Sequence, residues 1–277
     1  MGWELERTLA PLGEVIATDR STLDLADFDA VRRVVREVKP EIIVNAAAYT
    51  AVDRAESEPE LAMQINGIAP GVLAEEAKRL GALLVHYSTD YVFDGTKATP
   101  YVETDAPNPI NSYGRSKLVG ERAIETSNGA HLVLRTSWVY SPRGKNFFVT
   151  MLQLAREREE LRVVADQRGA PTSARSLAVA TTEIIRRHAT EDRGLFHLTA
   201  AGETTWFGFT EAIVERVQDR LPRRPRLVPI ASADYHTPAK RPANSTLNCD
   251  RARTALGAQL VDWRVGLDET WRQMSGS

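Results

Sequence analysis

From residue 14 to residue 140, short apolar runs alternate with stretches of helical period, and no other feature of the 277-residue chain constrains its fold as strongly. Short β-branched runs separated by amphipathic segments build βαβ units, which close as a parallel sheet with helices on its faces. Residues 2–12 read as a helix, with Trp3, Leu5, Leu9 and Leu12 apolar, and residues 14–19 as a strand ending in an acid. Residues 27–38 form an amphipathic helix stopped by Pro40, and residues 41–49 a buried strand. A helical pattern over 58–80 ends at Gly81, a strand follows at 83–88, a helix at 112–127 and a strand at 131–140.

Beyond residue 140 the rhythm changes. A helix over 146–159 precedes a strand and a Pro/Gly loop over 161–174, then a helix over 175–188 and a strand over 194–200 that rejoins the main sheet. The last 75 or so residues mix helices with Pro-rich loops. The expected class is α/β: a Rossmann-like doubly wound parallel sheet with a smaller C-terminal α/β domain folded over it.

Charge excludes several function classes. The chain carries 35 basic and 37 acidic residues, net -2, without a basic stripe, so no nucleic acid partner is expected. The cluster from Arg220 to Arg226 is broken by prolines and reads as a solvated loop. No run reaches the ~18 apolar residues of a membrane span. The N-terminus is amphipathic rather than a basic-then-apolar leader. Cys249 is alone, so no intrachain disulfide forms and a cytoplasmic setting is expected. His86, His131, His188, His197 and His236 lack metal-ligand spacing, so the sequence itself points to no metal.

Tyr113 and Lys117 lie four apart at the start of the 112–127 helix, which puts both on one face. A free phenol, with a pKa of about 10, is a poor acid near neutrality. A neighbouring ammonium lowers that pKa and suits the phenol to proton exchange with a substrate oxygen. Upstream, VHYSTDYVFDG (85–95) reads as a buried strand ending in Ser88, Thr89 and Asp90. Strand ends in open α/β sheets are where ligands bind. Taken singly, these residues also read as a surface tyrosine, a solvated lysine and a strand threonine.

Together they resemble the short-chain dehydrogenase/reductase superfamily, extended branch: a strand-end Ser-Thr with Tyr-x-x-x-Lys 24 residues later. The resemblance narrows with NAAAYTAVDRAESEPELAMQIN (45–66), the STDYVFDG run, INSYGRSKLVGE (110–121), RTSWVYSPRGKNF (135–147), DQRGAPTSA (166–174) and TPAKRPANSTLN (237–248). In this order they are similar to the dTDP-4-dehydrorhamnose reductase family across residues 2–277. The family implies NADPH, with NADH tolerated, and reduction of a dTDP-keto-sugar at C4. It makes Tyr113 the proton donor, Lys117 the ribose ligand that depresses the Tyr113 pKa, and Thr89 a partner of phenol and carbonyl. Asp90, Trp138 and Arg241 would contact the substrate. Gly2, Asp19, Asp24, Leu25, Ala48, Tyr49, Thr50 and Tyr87 would line the cofactor, with Arg20 able to meet a 2′-phosphate. Residues 1–140, rejoined by 174–200, would form the cofactor unit, and 141–173 with 201–277 the substrate unit. A homodimer and Mg²⁺ also come with the family; Glu4 is a conceivable ligand, although an exposed helix glutamate is the plainer reading.

Three rivals resemble the same residues. A nucleotide-sugar 4,6-dehydratase carries Asp-Glu at the strand end, where this chain has Asp90-Tyr91. A reductase of a related 4-keto-6-deoxysugar differs only in pocket shape. A regulatory subunit like that of methionine adenosyltransferase would bind a partner enzyme without turnover. One departure from the family stands out. Met1-Gly2-Trp3 matches the tail of the GxxGxxG loop, with Gly2 as its third glycine, and the preceding strand and two glycines are absent. Losing about five buried aliphatics forfeits roughly 7–15 kcal/mol, comparable with the ~5–15 kcal/mol of a whole domain. Poor folding and weak cofactor binding are therefore expected, and the upstream genomic sequence distinguishes a misassigned start from a truncated gene.

Overall fold

The computed structural model describes residues 1–187 and 194–275. His188 and the rest of 188–193, which the sequence reading ran through its helix and its 174–200 unit, lie outside the described residues. So do residues 276–277. Helices α1 (Gly2–Leu9) and α2 (Phe28–Val38) precede β1 (Ile42–Asn45). Helix α3 (Pro59–Met63) runs through a π-helical turn, Gln64–Ile68, into α4 (Ala69–Leu80). Strand β2 (Leu83–Thr89), helix α5 (Ser112–Ser127), strands β3 (His131–Thr136) and β4 (Val139–Tyr140) and helix α6 (Phe147–Glu157) follow. Then come β5 (Glu160–Val164), β6 (Arg168–Gly169), β7 (Thr172–Ser173), α7 (Ala174–Arg187) and β8 (Gly194–His197). The chain closes with β9 (Thr204–Thr205), α8 (Trp206–Val217), β10 (Arg226–Ile230), α9 (Asp250–Ala255) and α10 (Trp263–Ser275).

The main sheet has the order β1-β2-β3-β8, all parallel. Helices cover both of its faces, so β2 is buried at every position, His86, Ser88 and Thr89 included. Its side chains alternate between two cores. Leu83 and Val85 join Leu5, Leu132, Leu134 and Leu177 beneath α1 and α7. Leu84 joins Val31, Val35, Leu73 and Val133 beneath α2 and α4. A separate aromatic core gathers Tyr140, Phe148, Phe209 and Trp263 from β4, α6, α8 and α10. Strand β10 pairs with β5 in parallel beside it.

Residues 14–19 correct the sequence reading: they form no strand. A strand is stabilised by cross-strand partners, and none of the described residues pairs with this segment, which leaves Ile16 57% exposed. Strand β1 is likewise shorter than the expected 41–49, because it pairs on one side only, with β2. The 131–140 strand breaks at Ser137-Trp138, where Trp138 takes a φ of 48°.

Helix α5 has the predicted bounds for local reasons. The Asn111 side chain caps it by accepting from the Gly114 N–H at 2.8 Å, and Asn128 ends it in the left-handed region. Its buried face is unusually close to neighbouring backbone. A Cβ on Gly114 would lie 2.1 Å from the Tyr91 carbonyl oxygen, and one on Gly120 would lie 2.2 Å from that of Asn66. The Arg135 guanidinium of β3 donates to both Glu121 carboxylate oxygens, at 2.8 and 2.6 Å, and pins α5 to the sheet. Removing one member of such a buried pair costs about 3–5 kcal/mol.

Candidate active site

The site forms where β2 ends and α5 begins. Thr89 is the last residue of β2, and its hydroxyl oxygen accepts from the Tyr91 N–H at 3.1 Å, turning the chain into a single 3-10 turn. The same hydroxyl donates to Asp90 Oδ1 at 3.0 Å. Burial pushes the Asp90 carboxyl up to about 6, against the pull of hydroxyls from Ser245 and Thr89. Tyr113, in the first turn of α5, packs edge-on against Tyr91 with ring centroids 5.8 Å apart.

Burial pushes the Tyr113 phenol up to about 12, while a hydrogen bond with Thr89 draws it down. This corrects the expectation of a phenol acidified by Lys117: desolvation disfavours the phenolate and wins. Lys117 is itself buried and pushed down to about 8 by desolvation. Its Nζ donates to the Tyr87 carbonyl at 2.6 Å and lies 3.0 Å from His86 Nε2. Tyr113, Thr89 and Asp90 are therefore brought together, and Lys117 lies one turn further along α5, against the backbone of β2.

The loop after β1 carries Ala48, Tyr49 and Thr50. Asn66, presented by the π-helical turn, holds this loop: it accepts from the Tyr49 N–H at 2.8 Å and donates to the Tyr49 carbonyl at 3.0 Å. It also donates to Ser116 of α5 at 3.0 Å. Single π turns occur often at functional sites. The Tyr49 phenol donates to Glu58. The Tyr87 ring is not brought to the site: its hydroxyl pairs with Thr181 on α7 at 2.6 Å, and only its carbonyl reaches Lys117.

Asp19, Asp24 and Leu25 lie apart from the Tyr113 group, in the segment between α1 and α2. The Asp19 carboxylate accepts from Ser21 N–H and Oγ at 2.8 and 2.6 Å, and Asp24 pairs with Arg20 at 3.5 Å. Leu25 packs on the core under α2. Gly2 opens α1, with nothing within 4 Å of the position a Cβ would take. Trp138, read from sequence as a strand residue, instead adopts its positive φ and stacks on Trp206 at 3.5 Å. Such a conformation costs about 1–3 kcal/mol and is typical of functional sites. Gly169 makes room for it, since a Cβ there would sit 2.4 Å from the indole. Arg241 is not a solvated loop residue. It donates to Asp53 at 2.8 Å and to Thr237 at 2.5 Å, fastening the C-terminal loop to the segment after β1. Asn111 makes a second tie, donating to the Lys240 carbonyl at 2.8 Å.

Glu4 also departs from the sequence reading. It is 2% exposed rather than a surface residue, with Arg175 at 3.9 Å. The structure gives Mg²⁺ no support: no three His, Cys, Asp or Glu side chains among the described residues are grouped to hold a metal. No helix among them is long and apolar enough to cross a membrane. Sequence reasoning missed Asn45, Asn66 and His86. The signal for Asn45 and His86 was a polar residue directly after three apolar ones, in IIVN and LLVH.

A parallel sheet whose strand end meets Tyr-x-x-x-Lys on the following helix defines an extended short-chain dehydrogenase/reductase. The chain belongs to the dTDP-4-dehydrorhamnose reductase family. A family profile described as RmlD substrate binding domain matches residues 1–275. A dTDP-4-dehydrorhamnose reductase of Burkholderia thailandensis is 50% identical over 279 residues, covering 96% of this chain and 94% of that one. One from Escherichia coli K12 is 46% identical over 275 residues, covering 96% and 92%. The crystal structure of such a reductase from Bacillus anthracis, in complex with NADP, superposes with a TM-score of 0.92 at 35% identity, covering 98% of this chain and 95% of that one.

Proposed function

We propose that the chain reduces the C4 keto group of dTDP-4-dehydro-6-deoxy-L-mannose with NADPH, giving dTDP-L-rhamnose. The observation that carries this reading is the meeting of Tyr113, Thr89 and Asp90 at the end of β2, one helical turn from the buried Lys117, in a chain 50% identical to a dTDP-4-dehydrorhamnose reductase.

The residues present fit a dinucleotide. Lys117 has a third nitrogen valence beyond its contacts to Tyr87 and His86, available to a ribose hydroxyl. Gly2, the first residue of α1, would face the pyrophosphate from the helix N-terminus. Ala48, Tyr49 and Thr50 would line the nicotinamide side, with Asp19, Arg20, Asp24 and Leu25 at the adenosine side. When bound, the reduced nicotinamide supplies a hydride.

The protein's own part is proton delivery and orientation. Desolvation keeps Tyr113 a phenol at neutral pH, which is the form a reduction needs. As negative charge develops on the substrate O4, Tyr113 Oη gives it a proton. Thr89, hydrogen-bonded with the phenol, orients it in a buried site that strengthens the contact. Asp90 and Trp138 would hold the sugar, and Arg241 the diphosphate side. Residues 1–140 with 174–200 would serve the cofactor, and 141–173 with 201–277 the substrate. Family membership brings the further expectations of a homodimer, a cytoplasmic location and NADPH in preference to NADH. Sedimentation and paired cofactor titrations test the first and the last.

Incubation of the purified chain with NADPH and the dTDP-keto-sugar, followed by NMR of the product, tests the proposal. Formation of dTDP-L-rhamnose supports it; cofactor binding without turnover of this sugar overturns it.

A further inference from the structure

Two buried polar residues, one at the end of β1 and one within β2, lie behind the site, and proton delivery by Tyr113 makes no use of them. Asn45 ends β1 directly opposite His86 of β2. Both are buried, at 6% and 1% exposure. The Asn45 amide meets His86 Nδ1 at 3.1 Å, and His86 Nε2 meets Lys117 Nζ at 3.0 Å.

A third contact sets the direction of this chain. The Ala47 backbone N–H lies 3.2 Å from the Asn45 side chain. A backbone N–H only donates, so the Asn45 atom facing it is the oxygen, and the atom facing His86 is the NH₂ group. Nδ1 of His86 must then accept. A neutral imidazole has one N–H and one bare nitrogen, so its proton sits on Nε2 and points at Lys117. Double protonation is opposed by burial and by Lys117, which push the His86 pKa well below 6.5. An ammonium cannot accept that N–H, but an amine can. The amine donates one N–H to the Tyr87 carbonyl at 2.6 Å, accepts from Nε2–H and keeps one N–H free.

We propose that Ala47 N–H, Asn45 and His86 form a one-way hydrogen-bond chain ending on the Lys117 lone pair, so that Asn45 and His86 are positioning residues that select the amine form of Lys117 in the resting site. This rests on Lys117 working in the reductase reading above. Burial, which draws Lys117 down to about 8 and holds Tyr113 up at about 12, acts in the same direction. The other ionisable groups nearby do not reverse it. Glu121, one turn along α5, raises the Lys117 pKa, but its carboxylate is committed to Arg135. Asp90 faces Tyr113, and the Tyr87 phenol turns away to Thr181. A neutral lysine spares the resting site the desolvation cost of a buried ammonium.

The test is the tautomer of His86, read from long-range ¹H–¹⁵N NMR of the full chain, with the resonance assigned by its loss in His86→Gln. The proposal expects the proton on Nε2. In Asn45→Asp one carboxylate oxygen accepts from Ala47 and the other from His86. The proton then moves to Nδ1, and the Lys117 titration, followed by NMR at its side chain, moves upward by about one pH unit. A wild-type proton on Nδ1, or an Asn45→Asp variant with an unchanged tautomer, overturns the proposal. The wild-type tautomer decides the matter even if the variant is unstable. Because neither readout requires turnover, failure here leaves the reductase reading standing, and failure of turnover leaves the hydrogen-bond chain standing.

Discussion

Asp90 shows how burial sets the chemistry of a single residue. Its carboxyl moves from an ordinary 3.8 to about 6 because desolvation outweighs its hydroxyl partners. The folded state therefore holds this proton more tightly than the unfolded one. Its stabilising contribution is complete below pH 3.8 and is lost as pH rises through about 6. At neutral pH the ionised group costs on the order of 3 kcal/mol. Asn in its place should raise stability at pH 8 relative to pH 4 by an amount approaching that figure, while lowering turnover. Denaturant melts at the two pH values measure this; an unchanged pH dependence contradicts it. Tyr113, Lys117 and Thr89 were legible at this scale because their spacing is fixed by one helix and one strand end. The direction of the Tyr113 shift was not, since it depends on how much water the fold excludes. The sequence also hid the positive φ of Trp138, which Trp206 and Gly169 impose from distant parts of the chain.

Among the elements, α5 carries the site, and its placement depends on two glycines more than on its propensity. Gly114 lies against backbone rather than a movable side chain, so relief from a methyl group there requires the helix to shift. Gly114→Ala should cost about 1–3 kcal/mol of stability and should reduce kcat disproportionately, because Tyr113 precedes it. Gly120→Ala, equally tight against Asn66 but nearly two turns away, should destabilise with a smaller effect on kcat. Equal kinetic effects at matched stability would contradict this. The bounds of α5 followed from Asn111 and from the apolar pattern, both local. The 14–19 segment shows the opposite case: its residues have strand propensity, but strand formation requires a partner that the described residues do not supply. The π turn bearing Asn66 also escaped notice, because its backbone register is set by contact with α5 and the β1 loop.

Across the whole molecule, the C-terminal loop closes over the sheet through a few polar ties: Arg241 to Asp53, Asn111 to the Lys240 carbonyl, and Ser245 beside Asp90. The parallel architecture was legible from alternation, and so was a late strand returning to the main sheet; that it pairs with β3 was not. The ties were not, because they join residues more than a hundred positions apart. Arg241→Ala should loosen the loop and raise KM for the dTDP-sugar about tenfold, the effect of losing roughly 1.4 kcal/mol. Affinity for NADPH should remain near that of the wild type. An equal loss of cofactor affinity would place Arg241 in a different role.

The central claim is that Tyr113 delivers the proton in a nicotinamide-dependent reduction, and single-turnover NADPH oxidation by wild type and Tyr113→Phe, with NADPH binding followed by calorimetry, tests it most directly. The predicted result is a rate lower by about 10²–10⁴-fold in the variant with cofactor binding unchanged; a Tyr113→Phe enzyme that turns over at the wild-type rate would contradict it.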